Sequence, residues 1–276
     1  MKIDAHQHFW RYTTADYGWI GDDMRVLQKD HLPPDLAPLA HSAGVEGTVA
    51  VQARQSLIET EWLLDLAGQY PLIRGVVGWV DLCSPAARDQ LERFATNPKF
   101  VGVRHVVQEE PDDRFMLRDD FRRGIGLLGE MGLTYDILIF PRHLPAACEL
   151  AAQFPGQRFV LNHIAKPLIK AGRIAPWDHG IRRLAALPNV FCKVSGMVTE
   201  ADWQAWRASD FKPYLDIVFE AFSPARLMFG SDWPVCTVAG SYERVHRLLA
   251  DYTQQFSPAE QALIWGDTAR TFYGLE

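Results

Sequence analysis

Eight short runs of apolar and β-branched residues recur along this chain, most of them separated by a stretch with helical spacing. They are Ile3–Phe9, Gly47–Ala53, Ile73–Asp81, Phe100–Val107, Thr134–Phe140, Arg158–Ala165, Val190–Ser195 and Leu227–Asp232. Nearly continuous hydrophobics, as in Val76-Val77 and Ile137-Leu138-Ile139, mark strands buried on both faces, which is the condition of a parallel sheet. Ser56–Tyr70, Phe121–Met131 and Tyr242–Tyr252 repeat apolar side chains at helical spacing. Gly132 and Gly156 follow predicted helix ends, where a left-handed residue commonly closes a helix. Eight such units in 276 residues predict an α/β fold, a single (β/α)8 barrel of the TIM type spanning 1–276. The capping box Ser257-Pro258-Ala259-Glu260 opens one extra C-terminal helix that runs to about Gly274. No glycine-rich phosphate loop follows any strand, which argues against an open nucleotide-binding sheet.

Composition narrows the partners. The net charge of −6 and the lack of any basic block exclude a nucleic-acid partner. No apolar run approaches the roughly 20 residues that a membrane helix needs. The chain opens directly on strand chemistry, without a basic segment leading into an apolar one, so no secretory signal is visible. Cys83, Cys148, Cys192 and Cys236 lie far apart with no C-x-x-C pair, as free thiols in a reducing cytoplasm would. Self-association into a homo-oligomer is left open.

The first strand ends in His6-Gln7-His8. Side chains alternate along a strand, so Asp4, His6 and His8 are expected on one face, with Ile3 and Ala5 flanking them. Two imidazoles at that spacing can reach one metal ion or one substrate oxygen. An acid, Asp232 in Gly-Ser-Asp-Trp-Pro, closes the last strand. Polar residues gather at the other strand ends too, where a barrel of this type builds its active site. Arg104 and His105 lie on strand four, His163 closes strand six with Lys166 just beyond, and Lys193 lies within strand seven. Each has a structural reading as well: a core histidine for His163, a buried ion pair for Arg104, a solvated loop residue for Lys166. Lys193 has the better claim, because a charge inside an apolar strand is costly unless paired or used. Trp10, Trp79 and Trp233 offer flat faces suited to a sugar ring, and His105, Tyr135 and Trp233 could grip hydroxyls. The long irregular stretch Trp10–Pro34 leaves from the His6/His8 strand end as a lid or rim.

His6-x-His8, His163 and Asp232 together resemble the amidohydrolase superfamily. Ile3–Trp10, Val101–Gln108, Pro141–Pro145, Leu161–Pro167, Phe229–Pro234 and Trp265–Leu275 narrow the resemblance to its sugar-lactonase branch, which includes L-fuconolactonases, L-rhamnonolactonases and 2-pyrone-4,6-dicarboxylate lactonases. The resemblance spans essentially the whole chain. It implies hydrolysis of a small sugar-derived lactone, with L-fucono-1,5-lactone as the expected substrate. It also implies a metal set of His6, His8, His163 and Asp232 able to hold one divalent ion such as Zn²⁺, which could be dispensable. The chain departs from the two-metal members, which bridge their ions with a strand-four lysine: Arg104 stands on that strand here, and no histidine precedes His143 after strand five.

Opening a lactone needs an activated water, a polarised carbonyl and a proton for the departing ring oxygen. Asp232 is the expected general base, taking a proton from water and returning it to the alkoxide. His163, Arg104 and Lys166 are expected to stabilise the oxyanion, with Lys193 among the substrate-binding candidates. Two alternatives stay open: a metal-dependent decarboxylase of the same superfamily, and a sugar-binding protein without chemistry.

Overall fold

The computed structural model describes residues 1–276. Eight parallel strands lie in sequence order: β1 Ile3–Gln7, β2 Gly47–Val51, β3 Ile73–Gly78, β4 Phe100–His105, β5 Thr134–Ile137, β6 Phe159–Leu161, β7 Val190–Val194 and β8 Leu227–Phe229. Between them run α1 Pro33–Ser42, α2 Leu57–Gln69, α3 Ala87–Ala95, α4 Asp119–Glu130, α5 Leu144–Gln153, α6 Trp177–Ala185 and α7 Ala208–Phe222, with α8 Tyr242–Thr253 after β8. The sheet closes on itself where His8 N donates to Trp233 O at 2.7 Å and Asp232 N donates to His6 O at 2.8 Å. The protein is a single (β/α)8 barrel, and its closing seam is also where the histidines meet the acid.

Strand residues alternate between two apolar layers. Val76, Val103, Tyr135, Phe159, Leu161, Cys192 and Val194 face the helices in the larger core. Ile3, Ala5, Val49, Val51, Val77, Val160 and Met228 fill the barrel floor. The C-terminal segment completes that floor: Phe272, Tyr273 and Leu275 pack among them. The expected final helix is interrupted. It comprises α9 Pro258–Ala262, a π turn over Leu263–Asp267 and α10 Thr268–Tyr273, ending on Gly274 at φ +67°.

One expectation is corrected at β1. Asp4 pairs with Thr48 but Gln7 pairs with Ala50, so three steps on β1 match two on β2. This β-bulge shifts the alternation by one residue. Ile3 and Ala5 face inward with the histidines, whereas Asp4 turns toward the helix layer. There its Oδ2 accepts from the Tyr242 hydroxyl at 3.2 Å, and its Oδ1 accepts from Ser231 N at 2.9 Å. Asp4 is a brace between β1, the segment after β8 and α8. Burial pushes its carboxyl up to about 6.

The segment 10–32 packs as a strap rather than a loose loop. Trp10, Tyr17, Ile20 and Leu27 form a small core of their own, and Trp10 and His31 exchange backbone hydrogen bonds. No helix is long and apolar enough to cross a membrane, and all four cysteines are free.

Candidate active site

Asp232 follows β8 in a left-handed conformation, φ +58°, which aims its carboxylate back over the barrel mouth. Its Oδ1 lies 3.3 Å from His8 Nε2 and 3.8 Å from both His6 Nε2 and His163 Nε2. Three imidazoles from the ends of β1 and β6 thus converge on one oxygen, and all four residues are buried.

The local chain explains how His163 gets there. From His163 through Lys166 every residue has positive φ, at 54°, 47°, 60° and 50°. A left-handed L-residue costs roughly 1–2 kcal/mol, and Ile164 is β-branched, so the surroundings must hold this turn. Trp177 Nε1 donates to Ile164 O at 2.7 Å, and Lys166 N donates to His163 O at 2.8 Å. His163 Nδ1 lies 2.9 Å from Ser195 Oγ. Gly196, itself at φ +59°, leaves the room: a Cβ there would stand 2.2 Å from His163 Nδ1.

Electrostatics separate the acid from the imidazoles. Burial drives His6 and His8 below their ordinary values and His163 down to about 3, so all three are neutral at pH 7. Burial pushes Asp232 up, yet its carboxyl stays below its usual range, and with the three imidazoles neutral the standing charge that favours the carboxylate is the Lys166 ammonium. His8 Nδ1 lies 2.7 Å from Val51 O, and a carbonyl only accepts, so Nδ1 carries the proton. His8 Nε2 therefore presents a lone pair to the Asp232 carboxylate. Lone pairs facing each other at this distance call for a cation between them.

A divalent ion fits that description. The ligand atoms of His6, His8 and Asp232 all lie within 4.8 Å of one another. A tetrahedral site with bonds of about 2.1 Å puts its ligand atoms roughly 3.4 Å apart. His163 stands beside this trio rather than within it. One contact opposes the ion: the Arg104 guanidinium, a donor only, lies 3.2 Å from His6 Nε2 and engages the same lone pair.

A polar layer supports the site from below. Lys193 Nζ donates to Asp136 Oδ2 at 2.5 Å and lies 3.4 Å from His6 Nδ1. Asn162 Nδ2 donates to Asp136 Oδ2 at 2.9 Å, and the Tyr273 hydroxyl donates to Asp136 Oδ1 at 2.8 Å. Arg104 donates to the backbone oxygen of Gln52 and, at 3.0 Å, to its Oε1.

Above lies a cavity of about 460 Å³ at the C-terminal strand ends, reached by His8, Arg104, His163, Lys166 and Asp232. The other sequence candidates are placed elsewhere. Lys193 is wholly buried beneath His6. His105 turns outward, stacks on Phe115 at 4.9 Å and pairs with Glu110 at 2.7 Å. Tyr135 packs between Phe121 and Phe159 in the helix-facing core. Trp10 lies inside the strap with Nε1 donating to Lys29 O at 3.0 Å, and Trp233 meets Phe9 and His31 edge-on. The Trp79 backbone bonds to Thr60, outside the cavity lining. The indoles that do line it are Trp19 on the strap and Trp203 after β7, together with Arg54 and Glu200. None of these four sits on a strand, so reading strand ends alone passes over them.

Comparison with known proteins agrees with this architecture. The Amidohydrolase family matches residues 3–275. The L-fucono-1,5-lactonase of Burkholderia multivorans is 43% identical, over 100% of this chain and 96% of that one. The L-fucono-1,5-lactonase of Burkholderia ambifaria is 37% identical over the same shares. A crystal structure of an amidohydrolase from Burkholderia multivorans with bound Zn superposes with a TM-score of 0.95 at 44% identity, covering 100% of both chains. Sharing the barrel, the converging histidines and an end-to-end sequence match, the chain belongs to the amidohydrolase family.

Proposed function

We propose that this chain is a lactonase, a carboxylic ester hydrolase that opens a small sugar-derived lactone to its sugar acid, with L-fucono-1,5-lactone as the preferred substrate. The observation that carries the chemistry is the single carboxylate oxygen of Asp232, on the cavity lining, facing three neutral imidazoles. The two Burkholderia relatives, both L-fucono-1,5-lactonases, supply the substrate class and disfavour the decarboxylase and binding-protein alternatives.

Asp232, held ionised, takes a proton from the attacking water. His8 and His163, each fixed through Nδ1, orient that water with their Nε2 atoms. Arg104 and Lys166 set positive charge at the cavity where the carbonyl oxygen becomes an oxyanion. Loss of one such stabiliser typically costs about 10²–10³ in rate. Lys193 lies beneath His6, paired with Asp136, rather than touching the lactone. His6, His8 and Asp232 would hold one divalent ion, and zinc there would supply Lewis acidity or an acidified water. The four free thiols support a reducing, cytoplasmic setting.

Proton release followed with an indicator tests the reading on L-fucono-1,5-lactone and a panel of related aldonolactones. Turnover far above the spontaneous rate, greatest for the fucose-derived lactone, is expected. A flat trace across the panel with zinc supplied overturns it.

A further inference from the structure

A lactone's departing ring oxygen is a poor leaving group until it is protonated, and Asp232 begins the reaction as a base. A second acid on the same cavity would serve that oxygen directly. Glu200 is such a group. It lines the cavity on the turn Val198–Glu200 after β7, and its side chain is 19% exposed. The turn is pinned: Trp203 Nε1 donates to Thr199 O at 2.9 Å, and Thr199 Oγ1 donates to Gly196 O at 2.6 Å. Its partner is the Lys166 ammonium at 3.8 Å, too long for a direct hydrogen bond. The buried carboxylates Asp4, Glu59 and Asp136 are engaged by close donors and serve structure. Glu200 instead presents its carboxyl to the cavity.

We infer that Glu200 is the general acid of the reaction, the group that protonates the ring oxygen as the lactone opens. The inference rests on the lactonase reading and departs from the expectation that Asp232 returns its own proton. In the full cycle the water oxygen bonds to the carbonyl carbon while its proton passes to Asp232. The bond from that carbon to the ring oxygen then breaks, and the ring oxygen takes the Glu200 proton to become a hydroxyl. Exchange with solvent moves one proton to Glu200 and removes the one on Asp232, and the new sugar acid ionises.

The electrostatic setting supports this division. Burial pushes Glu200 up, Lys166 opposes it and the Asp232 charge adds to it, so the cavity favours the protonated form that a general acid needs. Other groups near Glu200 are the Arg104 guanidinium and the neutral His163 imidazole at the base of the cavity, Arg54 and Glu109 on its wall, and the exposed Lys170–Asp202 pair. Cys236, on the turn packed against it, is a buried thiol and uncharged.

Steady-state kinetics on L-fucono-1,5-lactone from pH 5 to 9 test the assignment with wild type, Glu200→Gln and Glu200→Asp. The Gln variant is expected to lose about 10²–10³ of kcat, with KM within about threefold and the alkaline fall in rate abolished. Glu200→Asp keeps a carboxyl and recovers part of the rate together with that fall, which also excludes misfolding as the cause. A Gln variant with raised KM and intact kcat makes Glu200 a hydroxyl-binding residue and overturns the proposal, as does an unchanged pH profile. A wild type without turnover defeats the lactonase reading itself, and the proposal falls with it.

Discussion

Glu59 lies 1% exposed with both carboxylate oxygens occupied. Its Oε1 accepts from the Tyr17 hydroxyl at 3.0 Å, and its Oε2 accepts from Ala53 N at 2.9 Å and Arg54 N at 3.0 Å. It thereby ties the strap to the loop that carries Arg54 on the cavity wall. Burial pushes its carboxyl up to about 7, above the ordinary 4.5 of an exposed glutamate. Between those values the folded chain holds a proton that the unfolded chain has released. Glu59 therefore lowers stability as pH rises from about 4.5 to about 7. Glu59→Gln should escape that loss, gaining up to about 3 kcal/mol relative to wild type between pH 5 and pH 8. Urea unfolding at the two pH values measures it, and a difference that does not change with pH would refute it. Nothing in the sequence singles Glu59 out, because its burial depends on a strap whose packing is tertiary. Asp232 is legible by contrast, since an acid closing an apolar strand has few structural uses.

Among elements, the strands and the helices α2, α4 and α8 are legible because burial on both faces or on one stripe imposes a period on the residues. Two irregularities are not. The β1 bulge turns Asp4 outward without any glycine or proline to signal it. The left-handed turn after β6 runs through His163-Ile164-Ala165-Lys166, residues with no local preference for positive φ. Its conformation is imposed from outside, by Trp177, Ser195 and the space at Gly196. Gly196→Ala tests this directly: the added methyl must displace His163 and strain a left-handed backbone. The expected result is a melting temperature lower by several degrees and a kcat reduced about 10–100-fold, for a stability cost of roughly 1–3 kcal/mol. Wild-type kcat in that variant would show that His163 needs no fixed position. Glu200 escaped the sequence reading for a related reason, since it lies on the loop beyond the strand end.

Over the whole molecule, the barrel is layered along its axis. An apolar floor that includes the C-terminal Phe272, Tyr273 and Leu275 is followed by the polar layer of Asp136, Lys193, Asn162 and Arg104, and then by the cavity. Tyr273 joins the lower two layers through Asp136, so the last helix reaches toward the site as well as closing the floor. The layering was only half legible: alternation predicts which residues face inward, but not which of them reach the cavity. Lys193 points inward yet is sealed beneath His6, while His105 and Tyr135 fall on the outward phase of their strands. All of these layers position one oxygen of Asp232. The most direct test of that claim is turnover of L-fucono-1,5-lactone by wild type and Asp232→Asn side by side, with circular dichroism confirming the fold of both. A loss of about 10²–10⁴ in kcat is expected for the variant; an Asp232→Asn protein working at close to the wild-type rate would contradict the role of that oxygen.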